Sequence, residues 1–219
     1  RYAWVRDTTF AMDSLLRIGY RDRVHAMLTW LLHTARRTHP RVHTFYGLDG
    51  RVHDRSHELD WPGYLGSRPV RVGNEAAMQD QHDAYGSIIL AASPMFFDKR
   101  LPRMGDVSLF RELEPLGEKA IAAAMMPDAG IWEFRGRKRV HTHSAAMCWA
   151  GGQRLGRIAE HLGIADRAQY WNAAAQNIGA ALLDGAWNAR RNAFTAAIGS
   201  DDLDASVLLL PDLGLIEPN

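Results

Sequence analysis

Apolar residues recur at steps of three and four along most of this 219-residue chain, and the runs with this spacing come in adjacent pairs. Such spacing is typical of amphipathic helices that each bury one stripe against a neighbour. The seven runs are residues 8–18, 22–37, 84–96, 110–124, 147–162, 170–182 and 203–210. Pro115 interrupts the fourth run or marks its true start. Because connections such as residues 19–21 are short, paired helices must lie antiparallel.

Three segments between the helical runs combine alternating side chains with central turn residues. We expect residues 42–53, 130–143 and 186–195 to form β-hairpins. The connection from residue 38 to residue 78 is long, and connections of that length more often carry functional residues than serve only as linkers. No alternation of strand and helix indicates a parallel sheet, and no glycine-rich phosphate loop follows a strand. The sequence therefore predicts an all-α toroid of helix pairs whose loops carry short β-hairpins and the functional site.

Composition excludes several classes of protein. With 47% hydrophobic and 23% charged residues the chain is globular rather than disordered, and its formal net charge of +1 argues against a nucleic-acid partner. The one basic cluster of note lies at residues 135–139, where a solvated hairpin tip or a rim beside the site is favoured over DNA binding. No apolar run reaches the roughly 18 residues of a membrane span, so we expect no membrane partner.

The single cysteine and the scattered histidines limit the chemistry that the chain can perform. Cys148 lies in an apolar run and is expected to be a buried core thiol, which favours a reducing compartment such as the cytoplasm. The ten histidines show no metal-binding spacing, so no metal site is predicted. A Ser/His/Asp site stays open because such triads are assembled in space, although no G-x-S-x-G motif is present.

Carboxylates recur beside aromatic residues at predicted helix edges and in loops. Trp4, Arg6 and Asp7 precede the first helical run, and Trp132 and Glu133 lie in a predicted hairpin loop. Aromatic faces stack on sugar rings, while carboxylates and guanidinium groups bind sugar hydroxyls, so this combination is typical of a carbohydrate site. Two alternatives stay open: Asp7 caps a helix that starts at Thr8, and Trp132 anchors its loop in the core.

A third carboxylate, Asp83, lies near the start of the third helical run, in the segment QDQHDAYG (79–86). A ligand contact and a solvated helix face are both consistent with its position. We keep Asp83 as a candidate substrate-binding residue beside the alternative of an exposed surface carboxylate.

Four blocks of the chain together resemble glycoside hydrolase family 15, which contains glucoamylases, glucodextranases and certain bacterial trehalases. The blocks are WVRDTTFAMDSLLRIGY (4–20), ELDWPGYLGSRPVRVGNEAAMQDQHDAYGSIILA (58–91), GIWEFRGRKRVHTHSAAMCWAGGQRLGRIAEHLG (130–163) and GSDDLDASVLLLPDLGLIEP (199–218). They follow the order of the family and span nearly the whole chain. The resemblance implies an (α/α)6 barrel, no cofactor, and inverting hydrolysis of α-linked glucosides at non-reducing ends.

The resemblance also implies a role for each candidate residue. Glu133 matches the general acid that protonates the leaving glycosidic oxygen, and Trp132 matches a wall of the sugar pocket. Arg6 and Asp7 match the pair that holds hydroxyls of the terminal glucose, and Trp4 matches an aromatic residue of the same pocket.

Two positions depart from the pattern of the family. Ser87 stands where many relatives carry a glutamate after the segment that contains Asp83, and Phe134 stands where fungal glucoamylases carry a second acid. Whatever contacts those two acids make in other members are therefore missing or replaced in this chain.

Inverting hydrolysis needs a second carboxylate that activates water on the opposite face of the sugar. In the family this base comes from a later block, so we expect residues 1–219 to be a single partial catalytic domain that lacks the N-terminal and C-terminal parts of the barrel. The leading expectation is a glucoamylase-like hydrolase. A trehalase and a non-catalytic carbohydrate-binding protein are the alternatives, and the sequence leaves the identity of the α-glucoside and the oligomeric state open.

Overall fold

The computed structural model describes residues 1–217 and is mostly helical. The eight α-helices are α1 Val5–Arg17, α2 Arg21–Thr38, α3 Asp83–Ala92, α4 Pro94–Phe97, α5 Val107–Ala123, α6 Thr142–His161, α7 Ala165–Ala186 and α8 Leu210–Leu213. Shorter 3₁₀ turns lie at Tyr64–Gly66, Glu75–Met78 and Ala205–Leu209. The apolar spacing thus predicts the long helices well. The last predicted run instead forms a 3₁₀ turn followed by the short α8.

Helix α6 lies at the centre of the packing. It contacts α3, α5 and α7, while α3 also contacts α1, and α1 contacts α2. Every residue from Thr142 to Gly152 is buried, as expected for a helix surrounded on all sides. The result is a curved row of helices α1, α3 and α6 with α2, α5 and α7 packed beside it, which confirms the prediction of a partial toroid of helix pairs.

Two apolar clusters stabilise these pairs. One joins α1, α2, α3 and α5 to the later part of α6 and the first turns of α7, with fully buried side chains that include Leu31, Ile88, Leu113 and Trp171. The other lies between α6, α7 and α8. Pro115 lies inside α5 without ending it. The expected buried thiol of Cys148 is confirmed, since its side chain is fully buried in α6.

The strands are short and pair only in twos. They are β1 Tyr2–Trp4, β2 Phe45–Gly47, β3 His57–Leu59, β4 Val70–Val72, β5 Trp187–Asn188 and β6 Ala193–Phe194. The hairpin predicted at residues 186–195 is present as β5 and β6. The hairpin predicted at residues 42–53 is wrong, because β2 pairs with β1 at the start of the chain. The long connection instead contains the hairpin of β3 and β4.

Residues 130–143 do not form a hairpin either. The segment belongs to a loop that is closed by reciprocal backbone hydrogen bonds between Asp128 and Arg139, of 2.9 and 3.1 Å. We call residues 128–139 the 128–139 loop. It lies between α5 and α6 in the chain, and its first residue, Asp128, contacts His82 just before α3 and Ser144 in the first turn of α6.

Candidate active site

Arg6 connects the start of α1 to the start of α3. Its Nη1 donates hydrogen bonds to Oε1 of Gln81 at 2.8 Å and to Oδ2 of Asp83 at 3.0 Å. The Asp83 side chain is fully buried and that of Arg6 is 10% exposed, so this is a buried ion pair. Because removal of one partner leaves an unpaired buried charge, we expect its loss to cost about 3–5 kcal/mol of stability. The alternative of a solvated Asp83 is therefore wrong.

Glu133 lies beside this ion pair. Its Oε1 accepts a hydrogen bond of 2.7 Å from Nε1 of Trp4, and the same oxygen lies 3.7 Å from Nη2 of Arg6. The side chain is 26% exposed. Within residues 1–217 the second oxygen, Oε2, has no hydrogen bond or ion pair. The carboxyl group is thus held through one oxygen and presents the other to open space.

The backbone at Glu133 has a left-handed conformation, with φ of 56°. This conformation is uncommon for a residue other than glycine and costs about 1–3 kcal/mol. It is held by hydrogen bonds on both sides of the residue: the N–H donates to the Gly130 carbonyl at 3.1 Å, and the carbonyl accepts from Nε2 of Gln79 at 3.1 Å. The surrounding structure therefore fixes a strained residue in one orientation.

Trp132 and Trp4 supply the aromatic surfaces of the site. The Trp4 ring stacks on Phe45 at a centroid distance of 4.5 Å, so the pairing of β1 with β2 fixes its direction. Trp132 is 57% exposed, and its Nε1 donates a 2.6 Å hydrogen bond to Oδ2 of Asp204. The alternative of Trp132 as a core anchor is therefore wrong, because more than half of the residue is exposed.

Asp204 is a site residue that the sequence analysis missed. Partial burial opposes its ionisation, but hydrogen bonds from Ser206 and from the Trp132 indole outweigh that effect and lower the pKa of the carboxyl. Asp204 precedes a 3₁₀ turn, and its Oδ1 accepts the Ser206 N–H at 2.7 Å. The sequence pattern that could have indicated this residue is an aspartate two residues before a serine, which is typical of the start of a turn.

Asp7 is placed differently from its neighbours. Helix α1 begins at Val5 rather than at Thr8, with Trp4 at the N-cap position and no side-chain cap. The alternative of Asp7 as the cap is therefore wrong. Asp7 still lies in the first turn of α1, where the helix dipole stabilises a negative charge. Asp7 is exposed, and within the described residues it makes no hydrogen bond or ion pair. Asp7 thus follows Arg6 in the sequence but takes no part in the contacts among Arg6, Asp83 and Glu133.

Gln79 and Gln81 are further residues that the sequence analysis did not select. They alternate with Asp83 in the segment before α3, and all three side chains contact Arg6, Glu133 or each other, with Gln81 donating to Gln79 at 3.0 Å. Polar side chains at alternate positions just before and at the start of α3 were the available signal.

A buried histidine completes this part of the molecule. His143 is 1% exposed, and neither ring nitrogen has a hydrogen-bond partner within the described chain. Burial lowers the pKa of His143; the charges of Asp83 and Asp204 oppose this effect, and that of Arg6 adds to it. The imidazole is therefore disfavoured as a cation at the start of α6.

Other features of the surface lie apart from these contacts. A groove of about 710 Å³ runs between α1, α3, α6 and α8, and its lining includes Leu16, Leu90 and Leu213 but none of the candidate site residues. The basic cluster of the 128–139 loop is partly neutralised, since Lys138 lies 3.0 Å from Asp80. Among residues 1–217 no group of three or more potential ligands is arranged to hold a metal ion. None of the described helices is long and apolar enough to cross a membrane.

Comparison with known proteins places the chain in a family. The family model of glycosyl hydrolases family 15 matches residues 1–219. A trehalase of Thermoplasma acidophilum is 32% identical over the whole chain, which covers 37% of that protein, and a trehalase of Mycobacterium tuberculosis is 35% identical over 96% of the chain, which covers 31% of that protein. The chain thus spans about a third of the length of these curated relatives.

A solved structure shares the fold. A glycosidase in complex with glucose superimposes with a TM-score of 0.75 over the full length of this chain and 57% of its own, at 19% sequence identity. This likeness concerns the helical architecture alone. With the family match over its full length, the chain belongs to glycosyl hydrolases family 15.

Proposed function

We propose that the protein is an inverting glycoside hydrolase that releases glucose from the non-reducing end of α-glucosides, with Glu133 as the general acid. One observation carries the proposal: Trp4 and Arg6 hold Oε1 of Glu133, while Oε2 makes no hydrogen bond within residues 1–217. A general acid needs a fixed carboxyl group with one oxygen free to pass its proton to the leaving group. A second carboxylate, supplied by further polypeptide of the same protein, activates the water.

The remaining candidates bind the terminal glucose in this proposal. Arg6 and Asp7 bind hydroxyl groups, and Asp83 fixes the guanidinium of Arg6 through Oδ2 while its buried Oδ1 stays without a partner in the described chain. Trp4 and Trp132 form apolar walls for the sugar ring. Trp132 is exposed and its indole nitrogen is held by a carboxylate, which supports a stacking role.

Trehalose is the substrate that we favour. The relatives that are 32–35% identical to this chain over the part that it covers carry the name trehalase, including two from Thermoplasma species and two from mycobacteria. This reverses the order of the expectation from the sequence blocks, in which a glucoamylase-like activity came first. Trehalose and maltose share the terminal α-glucose that the Arg6 site would bind. The two substrates therefore differ only on the side of the leaving glucose.

The test is an assay of the complete gene product on trehalose, maltose and isomaltose. We expect glucose release from trehalose at the highest kcat/KM, and proton NMR should show one product anomer inverted. Glu133→Gln should lower kcat by about 100-fold or more, since general acid catalysis contributes about 100- to 10,000-fold. Glu160→Gln is the matched control, because Glu160 contacts Asn172 on the far side of α6 and α7.

Each alternative has its own outcome in this assay. Faster hydrolysis of maltose than of trehalose would identify a glucan hydrolase. Sugar binding without glucose release would identify a carbohydrate-binding protein, and full activity of Glu133→Gln would refute the role of Glu133.

We also propose that residues 1–219 form one partial catalytic domain, which needs more of the same protein for turnover. Support comes from the coverage of 31–37% of the curated trehalases. The isolated chain should therefore release no glucose while the complete gene product does. A cytoplasmic location stays a prediction, and fractionation of the host cell with activity measured in each fraction would test it.

A further inference from the structure

Asp128 is a fully buried carboxylate that takes no part in the proposed sugar contacts. Its Oδ1 accepts the N–H of Gly130 at 3.1 Å, and its Oδ2 accepts the N–H of His82 and the hydroxyl of Ser144, each at 2.8 Å. These donors belong to the start of the 128–139 loop, to the residue before α3 and to the first turn of α6. One side chain thus connects the loop of Glu133 to two helices.

The connection from Asp128 to Glu133 is short. The Gly130 N–H is held by Asp128, and the Gly130 carbonyl in turn accepts the Glu133 N–H at 3.1 Å. Gly130 itself has a φ of 70°, and a Cβ atom there would lie 2.7 Å from Cδ2 of His141. The turn is therefore tight, and a displacement of Gly130 moves the backbone of Glu133 directly.

We propose that Asp128 is a positioning residue for the general acid: its carboxylate clamps the 128–139 loop to α3 and α6 and so sets the position of the Glu133 carboxyl. This inference rests on the proposed function, since it gives Glu133 the role of the acid. Asp128 touches neither the substrate nor the reacting atoms and acts only through the loop.

The three donors explain why this position requires a carboxylate. An ionised carboxylate only accepts hydrogen bonds, whereas an amide offers one acceptor oxygen and one NH₂ group. In either orientation an asparagine would turn its NH₂ group toward the N–H of Gly130 or of His82 and leave that buried donor unpaired. Burial raises the pKa of Asp128, and the bonds from His82 and Ser144 oppose that rise, so the donors stabilise the anion that they contact.

The test compares two substrates with different leaving groups on the complete gene product. Trehalose needs a proton on the departing oxygen, whereas α-glucosyl fluoride releases fluoride with little protonation. If Asp128 positions the acid, Asp128→Asn should lower kcat on trehalose by about 10- to 100-fold, part of the contribution of general acid catalysis, with KM nearly unchanged. On the fluoride the loss should be under about threefold. A purely structural defect would lower both rates together.

Two further variants make the result decisive. Ser144→Ala removes one donor to Asp128 and should lower kcat on trehalose by a smaller factor, again with little loss on the fluoride. This variant decides the question if circular dichroism shows that Asp128→Asn does not fold. Asp106→Asn is the matched control, because the Asp106 carboxylate also accepts a backbone N–H, that of Leu109 in α5, and should leave both rates unchanged.

The outcomes separate the two proposals. Equal losses on both substrates, or no loss on either, in the variant that folds would overturn the role of Asp128. A wild-type protein that hydrolyses neither substrate would instead refute the proposed function.

Discussion

The contact between α3 and α6 leaves no room for a side chain at Gly86. A Cβ atom built there would lie 1.9 Å from the carbonyl oxygen of Met147 and 2.4 Å from its carbon. These are backbone atoms of α6, so no side-chain rotation can relieve the overlap. Gly152 offers a comparison five residues further along α6, because the atoms nearest to its added Cβ lie at 3.6 and 3.8 Å, in ordinary contact range.

The substitution Gly86→Ala should therefore separate the two helices. A contact of 1.9 Å reaches ordinary distance only after a shift of about 1.5 Å, and overpacking of a close-packed core costs about 1–3 kcal/mol. We take the upper end because the obstacle is backbone. Alanine in a helix recovers about 1 kcal/mol relative to glycine, which leaves a net loss of about 2 kcal/mol. Gly152→Ala should instead gain up to about 1 kcal/mol.

Urea unfolding of the complete gene product, followed by tryptophan fluorescence, measures this difference of about 3 kcal/mol between the two variants. Activity gives a second measure. Asp83 lies one turn before Gly86, so the same shift would displace the Arg6 ion pair, and a misplacement of about 1 Å can cost about 100-fold in rate. A Gly86→Ala variant as stable as Gly152→Ala would refute the close approach of α3 and α6.

Three further substitutions test the site. Trp4→Phe keeps an aromatic ring but removes the N–H that donates to Glu133. Glu133 becomes an anion as it gives up its proton, and a hydrogen bond to a charged group contributes at least about 1.5 kcal/mol, so we expect kcat to fall about 10-fold. An unchanged kcat would show that the bond has no role. Asp204→Ala frees the indole of Trp132 and should raise KM about threefold or more with a smaller effect on kcat, as measured by steady-state kinetics. Because burial lowers the pKa of His143, the unfolded chain binds more protons than the folded one below about pH 6.5, and the fold loses stability as the pH falls. His143→Gln should thus flatten the fall of the melting temperature between pH 7 and pH 5, and equal slopes in the two proteins would contradict this.

The apolar spacing predicts the helices because burial of a stripe dominates their stability. The run at residues 22–37 and α2 at Arg21–Thr38 differ by one residue at each end. The start of α1 was missed by three residues because its N-cap is Trp4, which makes no side-chain cap. Sequence reasoning recognises caps by serine, threonine, aspartate or asparagine, and here tertiary pairing of β1 with β2 starts the helix instead.

The site depends on contacts that local patterns do not encode. The strand at Phe45–Gly47 pairs with residues more than 40 positions earlier, so residues 42–53 do contain a strand although the predicted hairpin is wrong. Trp4 and Glu133 are 129 residues apart, and Trp132 and Asp204 are 72 apart. The candidate residues Trp4, Arg6, Asp83 and Glu133 came from their types and from the family resemblance. Their partners Gln79, Gln81 and Asp204 emerged only once the helices were packed.

The same packing explains why carboxylates gather at one end of the molecule. Helices α1, α3 and α6 bring their N-terminal ends to the 128–139 loop, and unpaired N–H groups give such ends a partial positive charge. That charge favours the anions of Asp83 and Asp128, which would otherwise be costly to bury. The left-handed Glu133 and the unpartnered nitrogens of His143 lie at this end as well. Large fully buried apolar side chains such as Leu31, Leu113 and Trp171 lie on the helices packed beside these three, α2, α5 and α7. Burial of these side chains supplies stability that allows the N-terminal ends of α1, α3 and α6 to hold strained and charged groups in the geometry that proton transfer requires.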